Sequence, residues 1–217
     1  MTTPANSLLQ DFRFKTEICA IEDQYGTLQV YDDGDERYLM FGSIFEQSCQ
    51  RKSDPAWLVH EYARAMVLSL LFVTPRHATV LGLGGASLVN CLFRRYPQLD
   101  LQVVDIRQAV IELAYAHFQV PQDPRLNILL QDAGDYLRQA PAASTDLLLC
   151  DLYNAQGLDN QQLRPAFLER CKRLLRPGGW VAFNYLQSHR IYGQTLDTLR
   201  GLFNTVYSCN ISSGNWV

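Results

Sequence analysis

A glycine-rich turn between two apolar segments is the feature that most constrains how this chain can fold. Residues 78–81 read Ala-Thr-Val-Leu, and residues 82–88 continue as Gly-Leu-Gly-Gly-Ala-Ser-Leu. Glycines at positions 82 and 84 can adopt positive φ and let a ligand lie against the backbone, while the helix that follows offers unpaired N–H donors in its first turn. The pattern is typical of a strand, a turn and a helix that bind a nucleotide at the edge of an α/β sheet.

Three further apolar runs each end in an aspartate. The first leads into Asp105, at roughly the 20-residue distance from the glycine turn at which such folds place a ribose-binding acid. The later runs lead into Asp132 and Asp151. Each aspartate alone is better explained as a helix N-cap or a turn residue. Together with the glycine turn they predict one site, because the carboxyl ends of parallel strands share the edge at which ligands bind.

Strand-like runs alternate with helical patterns, which predicts an α/β fold with a parallel, doubly wound sheet. Asp54 and Pro55 are typical of a helix start, and that helix would run towards Leu71. In chain order, we expect strands at residues 79–83, 101–104, 127–130, 147–150, 180–184, 203–207 and 213–217, and helices at 86–96, 108–118, 134–138 and up to Arg176.

The N-terminal part has a different pattern. Residues 28–31 and 37–41 are apolar runs separated by an acidic connector that contains a glycine, which is typical of a β-hairpin, and residues 24–26 predict another turn. We therefore expect a small N-terminal β-hairpin region at residues 1–53 and a catalytic α/β domain at residues 54–217.

Composition narrows the possible classes of function. The 217 residues are 47% hydrophobic, enough for a sizeable core, and the net charge of −3 without a dense basic run argues against a nucleic-acid partner. Without a signal sequence or an apolar run of roughly 18 residues, we expect no membrane association and a cytoplasmic location. The six cysteines are widely spaced and are expected to be isolated thiols.

A series of motifs is more specific than the glycine turn. They are Glu46-Gln47-Ser48, Ser53-Asp54-Pro55, His60-Glu61-Tyr62, Val80-Leu81-Gly82-Leu83-Gly84-Gly85, Val104-Asp105-Ile106, Asp123-Pro124-Arg125-Leu126, Asp132-Ala133 and Leu149-Cys150-Asp151. Their order and spacing resemble the spermidine synthase family, the aminopropyltransferases, and more closely the short spermidine-synthase-like proteins of bacteria. The resemblance covers most of the chain.

This resemblance implies a Rossmann-like, methyltransferase-type doubly wound sheet of seven strands behind a small N-terminal β-hairpin domain, usually in a homodimer. It also implies a transferase of polyamine biosynthesis. The donor would be decarboxylated S-adenosylmethionine, the acceptor a polyamine such as putrescine, and no metal ion would take part.

The resemblance further implies roles for single residues. Asp105 would bind the ribose, Asp132 the adenine amino group, and Asp151 would accept the proton of the attacking amine. The implied donor-binding residues are Gln47, Gly82, Gly84, Gly85, Asp105, Ile106, Asp132 and Ala133. His60 and Asn154 would bind the acceptor, although a helix histidine without a ligand role is the common alternative for His60. We group Tyr153 with Asp151 as catalytic because its loop is placed to cover the acceptor, a neutral loop contact being the alternative.

The sequence departs from the family pattern at two acids. Family members carry an acid within the glycine turn where this chain has Gly85, and usually Ser-Ser-Asp-Pro after the base where this chain has residues 152–155, Leu-Tyr-Asn-Ala. Asn154 can hydrogen-bond an ammonium group but cannot neutralise it. Each lost carboxylate can weaken binding by about 1–3 kcal/mol. The adenosine half of the site therefore matches the family better than the amine half.

Other readings remain open. An S-adenosylmethionine-dependent methyltransferase would use the same glycine turn, Asp105 and Asp132, and the missing acid at Gly85 favours a donor that keeps its carboxylate. A non-catalytic nucleoside-binding or interaction protein would keep Asp151 for structure only. An NAD-dependent dehydrogenase fits less well, because Ser87 stands at the third glycine position and the two later aspartates would have no role.

Overall fold

The computed structural model describes residues 16–42, 46–186 and 192–217, without the side chains of Glu46, Gln47 and Tyr192. Its N-terminal part is a four-stranded antiparallel sheet in the order β1-β2-β3-β4. The strands are β1 (Thr16–Asp23), β2 (Gly26–Asp33), β3 (Glu36–Met40) and β4 (Glu46–Arg51). The predicted hairpin, β2 and β3, is confirmed.

Glycines form the tight turns of this sheet. Gly26 has φ +100° and Gly34, between β2 and β3, has φ +55°, values that residues with a side chain adopt only with strain. One face of the sheet is apolar, and Leu28, Val30 and Leu39 are fully buried. The N-terminal sheet thus packs through this face into the core of the larger α/β part.

The larger part is built on a five-stranded parallel sheet in the order β11-β8-β5-β6-β7. Its strands are β5 (His77–Leu81), β6 (Asp100–Asp105), β7 (Leu126–Leu130), β8 (Thr145–Cys150) and β11 (Leu175–Phe183). The helices are α1 (Glu61–Met66), α2 (Ser87–Arg95), α3 (Gln108–His117), α4 (Ala133–Gln139), α5 (Pro165–Leu174) and α6 (Tyr192–Leu202). Short antiparallel pairs join β9 (Tyr153–Asn154) to β10 (Gly157–Leu158) and β12 (Tyr185–Leu186) to β13 (Asn215–Trp216).

The sheet separates two hydrophobic cores. Successive residues of β8 alternate between them, with Leu147 and Leu149 in the core that includes α2, α3 and the N-terminal sheet. Leu148 and Cys150 lie in the core formed with α4, α5 and α6. Because both faces of the strand are covered, β8 is apolar almost throughout; it ends at Cys150, and Asp151 follows at the carboxyl edge of the sheet.

The predicted helix start at Asp54 is wrong. Asp54 caps a turn, its carboxylate accepting from the N–H of Ala56 at 3.1 Å and its carbonyl from that of Trp57 at 2.9 Å. Leu58 then pairs with Gln50 in an isolated antiparallel bridge, which requires an extended backbone. Helix α1 therefore begins only at Glu61 and continues into a 3₁₀ turn, Val67–Leu71.

Other predicted boundaries shift by a few residues, and the largest differences lie in the C-terminal half. The helix expected to end at Arg176 ends at Leu174, and β11 starts at Leu175 with a register shift before Trp180. Residues 203–207, predicted as a strand, do not form one. They pack instead as a connecting segment, in which Tyr207 stacks on Trp180 with ring centroids 6.0 Å apart.

The strand count also differs from the seven that the family resemblance implied. Within the described residues the parallel sheet has five strands. Tyr185 and Leu186, which follow β11 directly, pair with β13 in a separate antiparallel sheet and do not extend the parallel one. No disulfide joins cysteines in the described ranges, as expected, and four of these residues are buried. No helix among the described residues is long and apolar enough to cross a membrane.

Candidate active site

A pocket of about 200 Å³ lies at the carboxyl edge of the parallel sheet, against the N-terminal sheet. Its volume is below the roughly 300–1,000 Å³ that is usual for ligand sites. Predicted site residues that line it are Gly82, Gly84, Asp105, Ile106, Asp132, Ala133, Asp151, Tyr153 and Asn154. The structure therefore brings together the glycine turn after β5 and the three aspartates at or just beyond the carboxyl ends of β6, β7 and β8.

The glycine turn passes close to the backbone that follows β8. Gly82 has φ +93°, and a Cβ there would lie 2.2 Å from the carbonyl oxygen of Asp151. The Gly82 N–H donates to the carbonyl of Val104 at 2.8 Å, and the Asp151 N–H donates to that of Leu81 at 2.9 Å. Only glycine fits this position, which fixes the distance between the turn and Asp151.

Gly85 is turned towards the N-terminal sheet. Its N–H donates to Oγ of Ser48 at 2.8 Å, and a Cβ on Gly85 would lie 2.7 Å from Cβ of Ser48 and 3.1 Å from the ring of Phe118. The space in which an acid would begin at this position is thus filled by two neighbouring side chains. Gly85 is outside the residues that line the pocket, and Ser48 lines it instead.

Asp105 is held by backbone donors on both carboxylate oxygens. Leu83 N–H donates to Oδ2 at 2.8 Å, and Arg107 N–H donates to Oδ1 at 2.9 Å. Burial raises the pKa of Asp105, and the backbone N–H groups of Leu83, Arg107 and Gly84 oppose that rise. A carboxylate has about four acceptor positions, so three backbone donors leave Asp105 able to accept a hydrogen bond from a hydroxyl group in the pocket.

Arg107 connects this loop to the N-terminal sheet. Its side chain is 6% exposed and binds both carboxylate oxygens of Asp23 at 2.8 Å, as well as the carbonyl of Gly26. It also lies over the rings of Tyr25 and Phe41, at 5.9 and 5.4 Å from their centroids. Since both aromatic residues line the pocket, Arg107 fixes one wall of the site.

Asp132 is both the N-cap of α4 and part of the pocket wall. Its Oδ1 accepts from the N–H of Asp135 at 2.9 Å. Its Oδ2 faces Nε2 of Gln161 at 3.4 Å, and the same amide donates to Oδ2 of Asp159 at 2.7 Å. Gln161 and Asp159 line the pocket as well, so the wall at Asp132 is rich in acceptors.

Asp151 has the environment of a proton acceptor. Burial raises its pKa to about 6, while the hydrogen bond from Asn184 and the charge of His60 act to lower it. Nδ2 of Asn184 donates to Oδ1 of Asp151 at 2.9 Å. Near neutral pH the carboxylate is mostly ionised yet basic enough to take a proton.

The two residues of β9 are placed differently. Oη of Tyr153 donates to the carbonyl of Asn184 at 3.3 Å, and burial raises the pKa of Tyr153 above its usual value, so the phenol stays protonated. Asn154 is exposed, and its Oδ1 accepts from the N–H of Gln156 at 2.9 Å. Oδ1 of Asn154 keeps a second lone pair and can still accept a hydrogen bond from an ammonium group, but the neutral amide cannot balance its charge.

His60 is not among the described residues that line this pocket. His60 precedes α1, stacks on Tyr62 with centroids 5.3 Å apart, and acts on Asp151 through its charge. The side chain of Gln47 lies outside the described residues, so its role stays a prediction.

Sequence reasoning missed several residues that build the site. Ser48 was within a quoted motif, but its contact with Gly85 spans 37 positions. Arg107 could have been noticed because it follows Asp105 by two residues. Gln161, Asn184 and Asn215 gave no local signal, because their partners lie about 30 residues away in the chain.

A larger apolar groove of about 840 Å³ lies elsewhere, between the 3₁₀ turn, β11 and the segment after α6. None of the predicted site residues lines it, and Lys172 and Arg176 are its charged residues. No Asp or Glu side chain of the described residues lines it. Among the described residues, no three His, Cys, Asp or Glu side chains are arranged to hold a metal ion.

Fold and site together define a methyltransferase-type α/β protein with a ligand pocket at the carboxyl edge of its sheet. Residues 80–179 match the family model described as a methyltransferase domain. A polyamine aminopropyltransferase of Chromobacterium violaceum is 32% identical over 178 residues, which cover 81% of this chain and 68% of that protein. The chain belongs to the polyamine aminopropyltransferase family and is spermidine synthase-like.

Solved structures agree with this fold. A probable spermidine synthase from Corynebacterium glutamicum superposes with a TM-score of 0.81 at 21% identity, covering 91% of this chain and 77% of that one. A spermidine synthase in complex with the transition state analogue AdoDATO gives a TM-score of 0.71 at 16% identity, covering 92% of this chain and 71% of the other. The predicted family and fold class are confirmed.

Proposed function

We propose that this protein transfers an aminopropyl group from decarboxylated S-adenosylmethionine to a polyamine such as putrescine. The observation that carries the proposal is the placement of Asp105, Asp132 and Asp151 around one pocket beside the glycine turn. Membership of the aminopropyltransferase family supports it. So does the structural neighbour that binds AdoDATO, a transition state analogue.

In this proposal the adenosine part of the donor occupies the pocket. Asp105 accepts a hydrogen bond from a ribose hydroxyl, and Asp132 accepts one from the adenine amino group. Gly82 and Gly84 let the donor lie against the turn, while Ile106 and Ala133 pack on the base. Gln47 and Gly85 remain proposed donor-binding residues, Gly85 through its backbone only.

The reaction needs an amine with a free lone pair. The attacking nitrogen forms a bond to the aminopropyl carbon, the bond between that carbon and sulfur breaks, and the sulfonium sulfur leaves as the neutral thioether methylthioadenosine. The proton lost by the amine goes to Asp151, and the same carboxylate holds the amine in line with the carbon. Because sulfonium is a good leaving group, these residues need only orient the amine and remove its proton.

A second function has one specific observation in its favour. Ser48 and Phe118 fill the space beside Gly85, so no carboxylate at this position can bind an ammonium group on the donor tail. A donor that keeps its carboxylate would meet no repulsion there. An S-adenosylmethionine-dependent methyltransferase is therefore the alternative, and the match to a methyltransferase domain is compatible with it.

Donor titration separates these functions. In calorimetry with the purified protein, we expect decarboxylated S-adenosylmethionine to bind at least about tenfold more tightly than S-adenosylmethionine, with methylthioadenosine also bound because the adenosine contacts are shared. The Asp105→Ala variant is the control and should weaken all ligands alike. A preference for S-adenosylmethionine would favour the methyltransferase. Absence of binding by all three ligands would leave a non-catalytic interaction protein.

Three further proposals rest on the family resemblance. They are a polyamine as the acceptor, His60 and Asn154 as its ligands, and a homodimer. Cytoplasmic location and the absence of a nucleic-acid partner remain predictions.

For the homodimer, sedimentation equilibrium at micromolar concentration should give the mass of two chains, because obligate partners stay associated there. A single-chain mass across the same range would contradict the dimer without affecting the donor titration.

A further inference from the structure

A chain of side-chain hydrogen bonds runs from β13 to Asp151. Oγ of Ser213 donates to Oδ1 of Asn215 at 3.1 Å, and Nδ2 of Asn215 donates to Oδ1 of Asn184 at 2.9 Å. Nδ2 of Asn184 then donates to Oδ1 of Asp151 at 2.9 Å. Each bond has its donor on the side of β13, so the chain has one direction and ends on the carboxylate.

Because Asn184 and Asn215 are buried, the direction of these hydrogen bonds determines which group faces Asp151. Asn184 is 1% exposed and Asn215 is 9% exposed, so their amide groups depend on protein partners. The two ends of the Asn184 amide are chemically different, one a pure acceptor and the other a pure donor. As long as Asn215 donates to the oxygen of Asn184, the NH₂ end is the one that faces Asp151.

Tyr153 holds Asn215 from a second side. Nδ2 of Asn215 also donates to Oη of Tyr153 at 3.3 Å, and that hydroxyl donates onward to the backbone carbonyl of Asn184 at 3.3 Å. Both hydrogens of the Asn215 amide are therefore used. The phenol proton is directed away from Asp151, which makes Tyr153 part of the support for Asn184 rather than a second acid at the site.

We propose that Asn215, supported by Tyr153, is a positioning residue for the reaction: it fixes the orientation of the Asn184 amide so that Asp151 always receives a donor and stays a proton-accepting carboxylate. The inference rests on the proposed function of Asp151 as the base. A reversed Asn184 amide would place its oxygen against Asp151 and favour the protonated acid, which cannot take a proton from the amine.

Other groups around Asp151 act with or against this contact. His60, before α1, favours the ionised form through its charge, and burial opposes it, giving Asp151 a pKa of about 6. The titratable groups that surround the carboxylate or share its pocket are the His60 imidazole, the Cys150 thiol, the Tyr153 phenol and the carboxylates of Asp105, Asp132 and Asp159. Asn184 does not titrate, and it is the neutral donor that binds Asp151 directly.

The test compares the titration of Asp151 in the wild type and in two variants at position 215. Carbon-13 NMR of labelled aspartate, with the Asp151 signal assigned from Asp151→Asn, follows ionisation in the ligand-free protein and so does not require turnover. We expect Asn215→Leu to raise the midpoint by about one pH unit, a tenfold weaker ionisation, because the donor on Asp151 is lost for part of the time. Asn215→Asp, when ionised, accepts only and should reverse the Asn184 amide; its negative charge adds to the rise in the midpoint, and the same substitution in Asn184→Leu measures that charge effect alone.

Turnover provides the second readout if the wild type transfers aminopropyl groups. The acid limb of kcat/KM should move with the NMR midpoint in both variants, while the affinity for the donor stays within about threefold because the adenosine contacts are elsewhere. Asn210→Leu, on the same segment but exposed, is the matched control and should leave both quantities unchanged. If the wild type has no turnover, the proposed function fails while the NMR titration still decides the present inference.

A double-mutant cycle excludes a merely structural role. In the Asn184→Leu background Asn215→Leu should have no further effect on the midpoint, because the amide that Asn215 orients is gone. A further shift of equal size there, or unchanged midpoints in both single variants at position 215, would overturn the inference. Asn215→Asp keeps the size of the side chain, so the comparison survives if the leucine variant does not fold.

Discussion

Replacing Asp151 with asparagine is expected to lower kcat for aminopropyl transfer by about 10²–10⁴-fold, the usual contribution of a general base. Asparagine keeps the shape of the side chain. Its oxygen can still accept from Nδ2 of Asn184, which lies 2.9 Å from Oδ1 of Asp151 in the wild type. It cannot accept the proton of the amine. Steady-state kinetics with decarboxylated S-adenosylmethionine and putrescine measure the loss directly.

The dependence of activity on pH gives a separate check of the same role. Because burial raises the pKa of Asp151 to about 6, wild-type kcat/KM should rise as pH increases through that value and level off above it. The Asp151→Asn variant should lack this limb. Asp100→Asn, at the opposite edge of the sheet on an exposed side chain, is the control and should keep both the rate and the limb.

Loss of stability would not account for the loss of activity. The folded protein keeps a proton on Asp151 up to about pH 6, whereas in the unfolded chain the carboxyl releases it near its usual pKa of 3.8. The unfolded state therefore binds fewer protons in this window, and the wild-type free energy of unfolding falls as pH rises from about 4 to about 6. Relative to the wild type, the variant should gain about 2–3 kcal/mol between pH 4 and pH 7, as measured by urea unfolding. A variant that retains wild-type turnover would show that the proton goes elsewhere.

The strands and the three aspartates were predictable because their signals are local. A strand buried on both faces must be apolar along its length, so the first charged residue after it marks its end, as at Asp105 and Asp151. The same reasoning failed at Asp54, where a good capping residue and a proline suggested a helix. There a bridge between Leu58 and Gln50 keeps the backbone extended, and a contact with β4 outweighs the local preference.

The rest of the site depends on contacts between distant parts of the chain. Nothing near Gly85 in the sequence indicates that Ser48 fills the space beside it, and this contact decides whether an acid could stand there. Nothing near Asp151 indicates that Asn184 donates to it, or that Asn215 orients Asn184. The sequence thus locates the carboxylates, whereas their ionisation and the shape of the amine half depend on the packing of three other segments.

Gly82→Ala is expected to cause the largest loss of stability of any single substitution in the pocket wall, about 3–5 kcal/mol. Two costs add at this position. The backbone has φ +93°, and the new Cβ would lie 2.2 Å from the carbonyl oxygen and 3.0 Å from the carbonyl carbon of Asp151. These atoms belong to the backbone just after β8, where the Asp151 N–H donates to the carbonyl of Leu81 at the end of β5. Because this hydrogen bond holds them, moving them away from the new Cβ costs stability.

Gly178→Ala separates the two costs. Gly178 has φ +80° with no other atom within 4 Å of the added Cβ, so its substitution measures the backbone strain alone, about 1–2 kcal/mol. Urea unfolding of the two variants gives the difference, which is the cost of the contact with Asp151. Equal losses would mean that the turn and Asp151 are not in contact.

If Gly82→Ala folds, donor binding and turnover should fall together, because the substitution moves Asp151 relative to the turn. The glycine is then required by the packing of protein backbone as well as by the approach of a ligand.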